Sequence, residues 1–310
     1  MTAPGYTEHA EFPSKIPHQA ADIIPYATAV DGHITGWQLS PAAAPHLLLT
    51  GAAHCGLPAT ERVVAIEAAR QGHDVRIIDP NREFRGLRGW PNVTEVAARI
   101  PDMIRVVDGL YGEMLHRGEL IEAGQTRASD FRRIVAIIDE YPKFTVLARN
   151  HCTESGARGQ GKSPPAIGKL TGILAMSRFC RVNILLAGPR VHNAVPPSMR
   201  DNLGARAALG RLTRETAMVM FGNPNAGQDI PAAAAGVGTV LEPGGLVRAT
   251  AHWLPDPADW DNQEQPLTAG DRQLLLDMLP PGVSWDGPAP EATQPARPRL
   301  PGQRAADPTI

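Results

Sequence analysis

Short apolar runs alternate along the chain with longer stretches of a different period. The runs are His46–Thr50 (HLLLT), Asp74–Ile78 (DVRII), Ile134–Ile138 (IVAII) and Val182–Ala187 (VNILLA); each is strand-sized and ends in turn-forming or polar residues. Apolar positions without strict alternation suit strands covered on both faces, as in a parallel sheet. Between them, Ala59–Gln71, Val93–Ile121 and Ile167–Phe179 repeat their apolar residues at helical spacing. Strand and helix in alternation predict an α/β fold: a mostly parallel, doubly wound sheet with right-handed crossovers. A fifth run, Ala205–Leu209, precedes another helix near Glu215–Phe221. Gly236–Leu241 and Leu246–Leu254, joined through Pro243-Gly244-Gly245, then read as a C-terminal β-hairpin. Residues 1–45 are expected to be an N-terminal arm with short strands, for example His33–Leu39, and residues 46–257 the core. Residues 258–310 are polar and proline-rich. They are expected to carry one short helix, Asp271–Met278, and no ordered structure from Pro280 onward.

Composition adds little to this picture. Of the 310 residues, 43% are apolar and 20% charged, ordinary proportions for one large domain with its own core. No stretch approaches the roughly 20 consecutive apolar residues of a membrane span. The opening MTAPGYTEHAEF lacks the basic-then-apolar order of a secretory signal. The three cysteines, Cys55, Cys152 and Cys180, are too scattered for a disulfide framework or a CxxC metal pair. A cytoplasmic location is therefore expected. A net charge of −2 provides no global basic field for nucleic acid. That argues only weakly against DNA, because a ring can confine its basic groups to a pore.

The candidate chemistry lies at two strand ends. The first run leads into Gly51-Ala52-Ala53-His54-Cys55-Gly56-Leu57-Pro58, and a helical pattern follows. A P-loop has GxxxxGK[ST] in this context. Its backbone N–H groups wrap the phosphates, its lysine reaches the β- and γ-phosphates, and its hydroxyl binds Mg²⁺. Strand, glycine spacing and helix are present here, but Leu57 stands at the lysine position and Pro58 at the hydroxyl position. Proline is well suited to a first helical turn yet has no hydroxyl and no N–H. The third run delivers Asp139-Glu140 to its C-terminal end. That is the Walker B arrangement, in which the Asp organises Mg²⁺ and the Glu polarises the attacking water.

With these features on one chain, the sequence resembles the motor core of the FtsK/SpoIIIE family, and most of all the Tra-type translocases of actinobacterial conjugative elements. The likeness runs from about Trp37 to Pro257. It is carried by Ala44–Ala52 (APHLLLTGA), Ile77–Pro91 (IIDPNREFRGLRGWP), Ala136–Tyr141 (AIIDEY), Ser198–Leu212 (SMRDNLGARAALGRL) and Ala251–Pro257 (AHWLPDP). The resemblance implies a RecA-like P-loop ATPase that uses ATP and Mg²⁺. It also implies a hexameric ring, of this chain or with a paralogue, that moves double-stranded DNA. Asp139 and Glu140 match the family. Asn202 and Arg206 match its N-x-x-x-R segment, where an arginine approaches a neighbour's nucleotide. Of the T-Q-R-P sensor after the fourth strand, only Arg190 survives in Gly188-Pro189-Arg190-Val191. The resemblance thus assigns catalysis to Asp139, Glu140, Arg190 and Arg206, metal to Asp139, and nucleotide contact to the loop from Gly51 to Pro58. Phosphoryl transfer depends on positioning and electrostatics. Losing one preorganised donor typically costs about 10²–10³ in rate. Here lysine, hydroxyl and one N–H are lost together, so impaired turnover is expected. The alternative is a pseudo-ATPase that binds DNA or joins an active paralogue.

A second stretch, Gly156-Ala-Arg-Gly-Gln-Gly161-Lys162-Ser163, fits GxxxxGKS letter for letter. It follows the Walker B strand instead of preceding it, no strand leads into Gly156, and Pro164-Pro165 come directly after. A loop is the expected reading.

Overall fold

The computed structural model describes residues 10–11, 22–40, 42, 44–154, 164–232 and 234–290. The parallel half of the fold is built from β4 (Leu47–Gly51), β5 (Asp74–Ile78), β6 (Val93–Ala97), β7 (Ile134–Ile138), β8 (Val182–Gly188) and β9 (Ala205–Leu209). These strands lie in the order β9-β4-β8-β7-β5-β6, so β8 sits between the strand that feeds the glycine loop and the strand that ends in Asp139. Every residue of β4, β7 and β8 is buried, which explains why these strands read as unbroken apolar runs.

Antiparallel strands continue the sheet on the far side of β9. They are β10 (Val237–Glu242), β11 (Gly245–Trp253), β2 (Ile23–Ala29) and β3 (Ile34–Gln38), in the order β10-β11-β2-β3. A two-residue strand, β1 (Ala10–Glu11), pairs parallel with β11. β10 and β11 form the hairpin expected around Pro243-Gly244-Gly245, with Glu242 opposite Gly245.

Helices cover both faces. α1 (Leu57–Arg70) packs on one face against β2, β11, β5 and β7. α2 (Ile100–Glu122), α3 (Tyr141–Glu154) and α4 (Pro165–Met176) cover the other. The two-residue period of the strands divides the core accordingly. Val75, Ile77, Val135 and Ile137 belong to the α1 side, whereas Ile134, Ala136 and Ile138 belong to the α2–α4 side. The remaining helices are α5 (Val191–Ala194), α6 (Pro197–Arg200), α7 (Arg214–Phe221) and α8 (Ala269–Asp277).

Several local expectations change. The helix expected from Val93 begins only at Ile100, with Pro101 in its first turn; residues 93–97 instead form β6 on the edge of the sheet. Val93, Thr94 and Val96 are β-branched and favour a pleated, half-buried strand. α3 has no counterpart in the apolar pattern because it buries only Tyr141, Phe144 and Ala148, a stripe too narrow to stand out. The expected helix through Phe179 stops at Met176 and tightens into a 3₁₀ turn over Ser177–Cys180. Residues 280–290, expected to lack structure, pack on the core. Trp285 is 6% exposed, lies 4.7 Å from Trp90 and 4.9 Å from Trp260 between ring centroids, and the Ala289 N–H donates to the Arg88 carbonyl at 2.7 Å. Residues 291–310 lie outside the described residues.

Candidate functional site: a filled glycine loop facing buried carboxylates

The glycine loop leaves the middle of the sheet and closes on itself. Ala52, Ala53 and His54 are exposed, whereas Gly51, Cys55 and Leu57 are buried. His54 turns the chain at φ 62°, and Gly56 caps α1 at φ 96°, a left-handed conformation glycine adopts without steric cost. The Cys55 N–H donates back to the Ala52 carbonyl at 3.3 Å, and the Cys55 carbonyl accepts the Gly236 N–H at 2.9 Å. The Cys55 side chain lies over Gly51: a Cβ at position 51 would fall 2.3 Å from Cys55 Sγ and 3.2 Å from Leu57 Cγ. The Cys55 and Leu57 side chains are thus packed into the hydrophobic core against Gly51. Burial pushes the thiol's pKa up to about 11, so Cys55 is a neutral packing group. The nearest hydroxyl, Thr60, is 1% exposed and donates to the Gly56 carbonyl at 3.1 Å.

Across β8 from this loop stand the carboxylates. Two strand spacings, roughly 10 Å in all, separate the ends of β4 and β7. Gly188, at the end of β8, ties them together. Its carbonyl accepts the Thr50 hydroxyl at 3.1 Å, and a Cβ on it would meet Pro142 Cδ at 3.1 Å and Glu140 Cα at 3.4 Å. Asp139 continues the face of Val135 and Ile137, so it points to the α1 side. It is 3% exposed, and its Oδ2 has no hydrogen-bond partner. Burial, then the neighbouring Asp79 and Glu140, raise its pKa to about 7. Glu140 is half-buried at φ 45°, and burial raises its pKa as well.

Two further carboxylates share this face: Asp79, within the Ile77–Pro91 stretch but not among the candidate site residues, and Glu61, which lies in no motif. Asp79 follows β5 and is fully buried, but both its oxygens are used: Oδ1 accepts the Glu83 N–H at 2.9 Å and Oδ2 the Phe84 N–H at 3.0 Å. It holds the 79–84 turn. Glu61, on the second turn of α1, is 0% exposed, and neither of its oxygens has a partner. Burial, followed by the charges of Asp139, Glu140, Asp79 and Glu83, raises its pKa far above the ordinary carboxylate value. The one sequence clue to Glu61 is a helical one. It lies three positions after Pro58, so both residues fall on one side of α1.

The arginines divide. Arg190 is exposed at the start of α5, next to Gly188. Arg206, on β9, is half-buried among backbone carbonyls. Its guanidinium donates to the carbonyls of Leu203 (3.1 Å), Met220 (2.9 Å), Arg200 (3.3 Å) and Val219 (3.4 Å). Asn202 donates to the Ser198 carbonyl at 3.2 Å. Gly156–Ser163 lies outside the described residues. Among the described residues no three His, Cys, Asp or Glu are gathered at metal-binding spacing, and no helix is long and apolar enough to cross a membrane.

Sheet order, glycine loop and strand-end carboxylates together define the α/β fold of P-loop ATPase domains. Solved structures agree. The cytoplasmic domain of the Thermomonospora curvata type VII secretion ATPase EccC superposes with a TM-score of 0.64 at 18% identity, covering 90% of this chain and 33% of that one. The pCW3 conjugation coupling protein TcpA, solved as a monomer with ATPγS, gives 0.59 at 16% identity, over 85% of this chain and 75% of that one. In sequence, protein Tra of Streptomyces lividans is 25% identical over 203 residues, 61% of this chain and 32% of Tra; the chain thus spans about a third of that relative's length. No family model matches. The sequence relation and the shared fold support an FtsK/SpoIIIE-type core related to the Tra proteins.

Proposed function

We propose that this chain is the core of an FtsK/SpoIIIE-like translocase acting on double-stranded DNA in plasmid or mobile-element transfer, with ATP turnover impaired at its glycine loop. The observation that supports the impairment is that Leu57, at the lysine position, is buried in the apolar core, while Pro58 brings neither hydroxyl nor N–H. The residues opposite still suit the chemistry. Asp139 has a free oxygen for Mg²⁺, Glu140 is positioned to orient water, and the exposed Arg190 is available to a γ-phosphate. Nucleotide binding is expected to be weak, because the loop offers the phosphates no lysine, no hydroxyl and one N–H fewer.

A second reading, a pseudo-ATPase that joins a hexameric ring with an active paralogue, is favoured by the same loss of lysine and hydroxyl at Leu57 and Pro58. Binding and hydrolysis of Mg·ATP by wild type and by Leu57→Lys/Pro58→Ser, each with and without double-stranded DNA, separate the two. Low DNA-stimulated turnover in wild type, rising at least tenfold in the double variant, is expected for the translocase. Turnover only in the double variant supports the pseudo-ATPase. Neither nucleotide nor DNA binding by either protein refutes both.

A further inference from the structure

The fully buried Glu61 is a charge-bearing group without a partner, and that is costly unless something completes it. The rest of the α1 face offers no explanation. Asp79 uses both oxygens on the 83–84 amides, and Glu67, also fully buried on α1, is held by Arg70 at 2.7 Å and by Gln71 at 2.7 Å. Glu61 has no such support; α1 packs on β7, and Asp139, following that strand on the α1 face, likewise leaves its Oδ2 unpartnered.

Helical side chains lean toward the N-terminus and cover the turn before their own Cα. Three residues of helix rise about 4.5 Å, which is within reach of a glutamate side chain. The Glu61 carboxylate therefore serves the level of residues 57–58, where an active P-loop carries its metal-binding hydroxyl and this chain has Pro58. Pro58 and Glu140, which flank the carboxylate pair, are only partly buried. Mg²⁺ keeps most of its shell as water and typically takes one or two protein carboxylates. Two, Glu61 and Asp139, are what this site provides.

We propose that Glu61 replaces the missing hydroxyl as a ligand, holding a divalent cation jointly with Asp139. The inference rests on the function proposed above only in taking that cation to be the one that accompanies the nucleotide. Its test uses neither nucleotide nor DNA. Chain stripped with EDTA is titrated with Mn²⁺ at pH 7.5, following the loss of free-Mn²⁺ EPR signal and the thermal unfolding midpoint. Wild type is expected to bind about one Mn²⁺ and to unfold at a higher temperature when loaded. Glu61→Gln and Asp139→Asn should each weaken binding at least tenfold. Glu61→Asp, which keeps the charge but shortens the reach, should weaken it as well and serves if the glutamine variant does not fold. Adding Pro58→Ser to Glu61→Gln should recover part of the affinity. Wild type without Mn²⁺ binding, or Glu61 variants that bind as wild type does, would overturn the proposal and leave the proposed function standing. Mn²⁺ held through Glu61 by a chain that binds neither ATP nor DNA would do the reverse.

Discussion

The two ends of the same parallel strands differ in their buried polar groups. Arg133, Asn183 and His46 at one end each make at least one hydrogen bond, although Arg133 Nε and His46 Nε2 have none, whereas the Glu61 carboxylate at the other makes none at all. At the N-terminal end, Arg133 precedes β7 and is 4% exposed, and its terminal nitrogens bond the Leu39 carbonyl (2.9 Å), Asn183 Oδ1 (2.8 Å) and Asp22. Asn183 in turn donates to the Pro45 carbonyl at 2.6 Å, and His46 Nδ1 accepts the Ile184 N–H at 3.1 Å. These groups hold the strand entrances and the β3–β4 connection together. At the C-terminal end, Glu61 and Asp139 are equally buried but keep three oxygens without partners. Polar groups recruited for stability find partners inside the protein. Buried carboxylates left unpartnered at the mouth of a parallel sheet mark a place where ligands bind in α/β folds.

Substitution should expose this contrast. The largest effect is expected from Arg133→Ala. It removes three charge-assisted hydrogen bonds, leaving Asn183 Oδ1 without its donor, and should lower the urea-unfolding free energy by about 3 kcal/mol. A change under about 0.5 kcal/mol, the level of an ordinary surface substitution, would mean the network contributes nothing. Asp139→Asn, at the other end, should stabilise the metal-free protein. The folded pKa of Asp139, about 7, lies above the ordinary value of 3.8. The folded state therefore holds more protons between pH 4 and 7, and stability falls as pH rises through that window. The asparagine variant should be more stable than wild type by on the order of 2 kcal/mol at pH 8, a gain that vanishes near pH 4. An unchanged difference across that range would show that Asp139 does not titrate as its burial requires.

The smallest effect is expected at His46, where the sign reverses. Burial, with the charge of Arg178, lowers its pKa from 6.5 to about 3. The unfolded chain then binds the extra proton, so the stability this histidine contributes is present above pH 6.5 and is lost as pH falls toward 3. His46→Asn keeps an acceptor for the Ile184 N–H without titrating. It should lessen acid destabilisation at pH 5 by about 1 kcal/mol. An acid limb identical to that of wild type would show that His46 does not drive it.

Much of the framework was legible in the chain. The four central strands announced themselves because burial on both faces leaves no position for a polar residue. The strand-to-loop-to-helix passage from Leu47 into α1 and the Asp139-Glu140 strand end were readable because their spacing is local. β6 was not, since an edge strand beside a long helix shares its pattern of half-buried positions. Glu61 was not, since a glutamate in a good helix-forming stretch looks like surface until the sheet is laid against it. Arg206 stood out in sequence only through the N-x-x-x-R resemblance, and the four carbonyls around it came into view only with the fold.

The sequence by itself determined the α/β class, the place of the glycine loop and the absence of lysine and hydroxyl from it, because these are properties of residue type and local order. Only the tertiary structure decided that Cys55 and Leu57 pack into the core against Gly51, that Trp285 brings residues 280–290 onto the core, and that Glu61 shares a face with Asp139. Each of those depends on residues distant in sequence meeting under close packing, and no local pattern encodes which buried charge will be left without a partner.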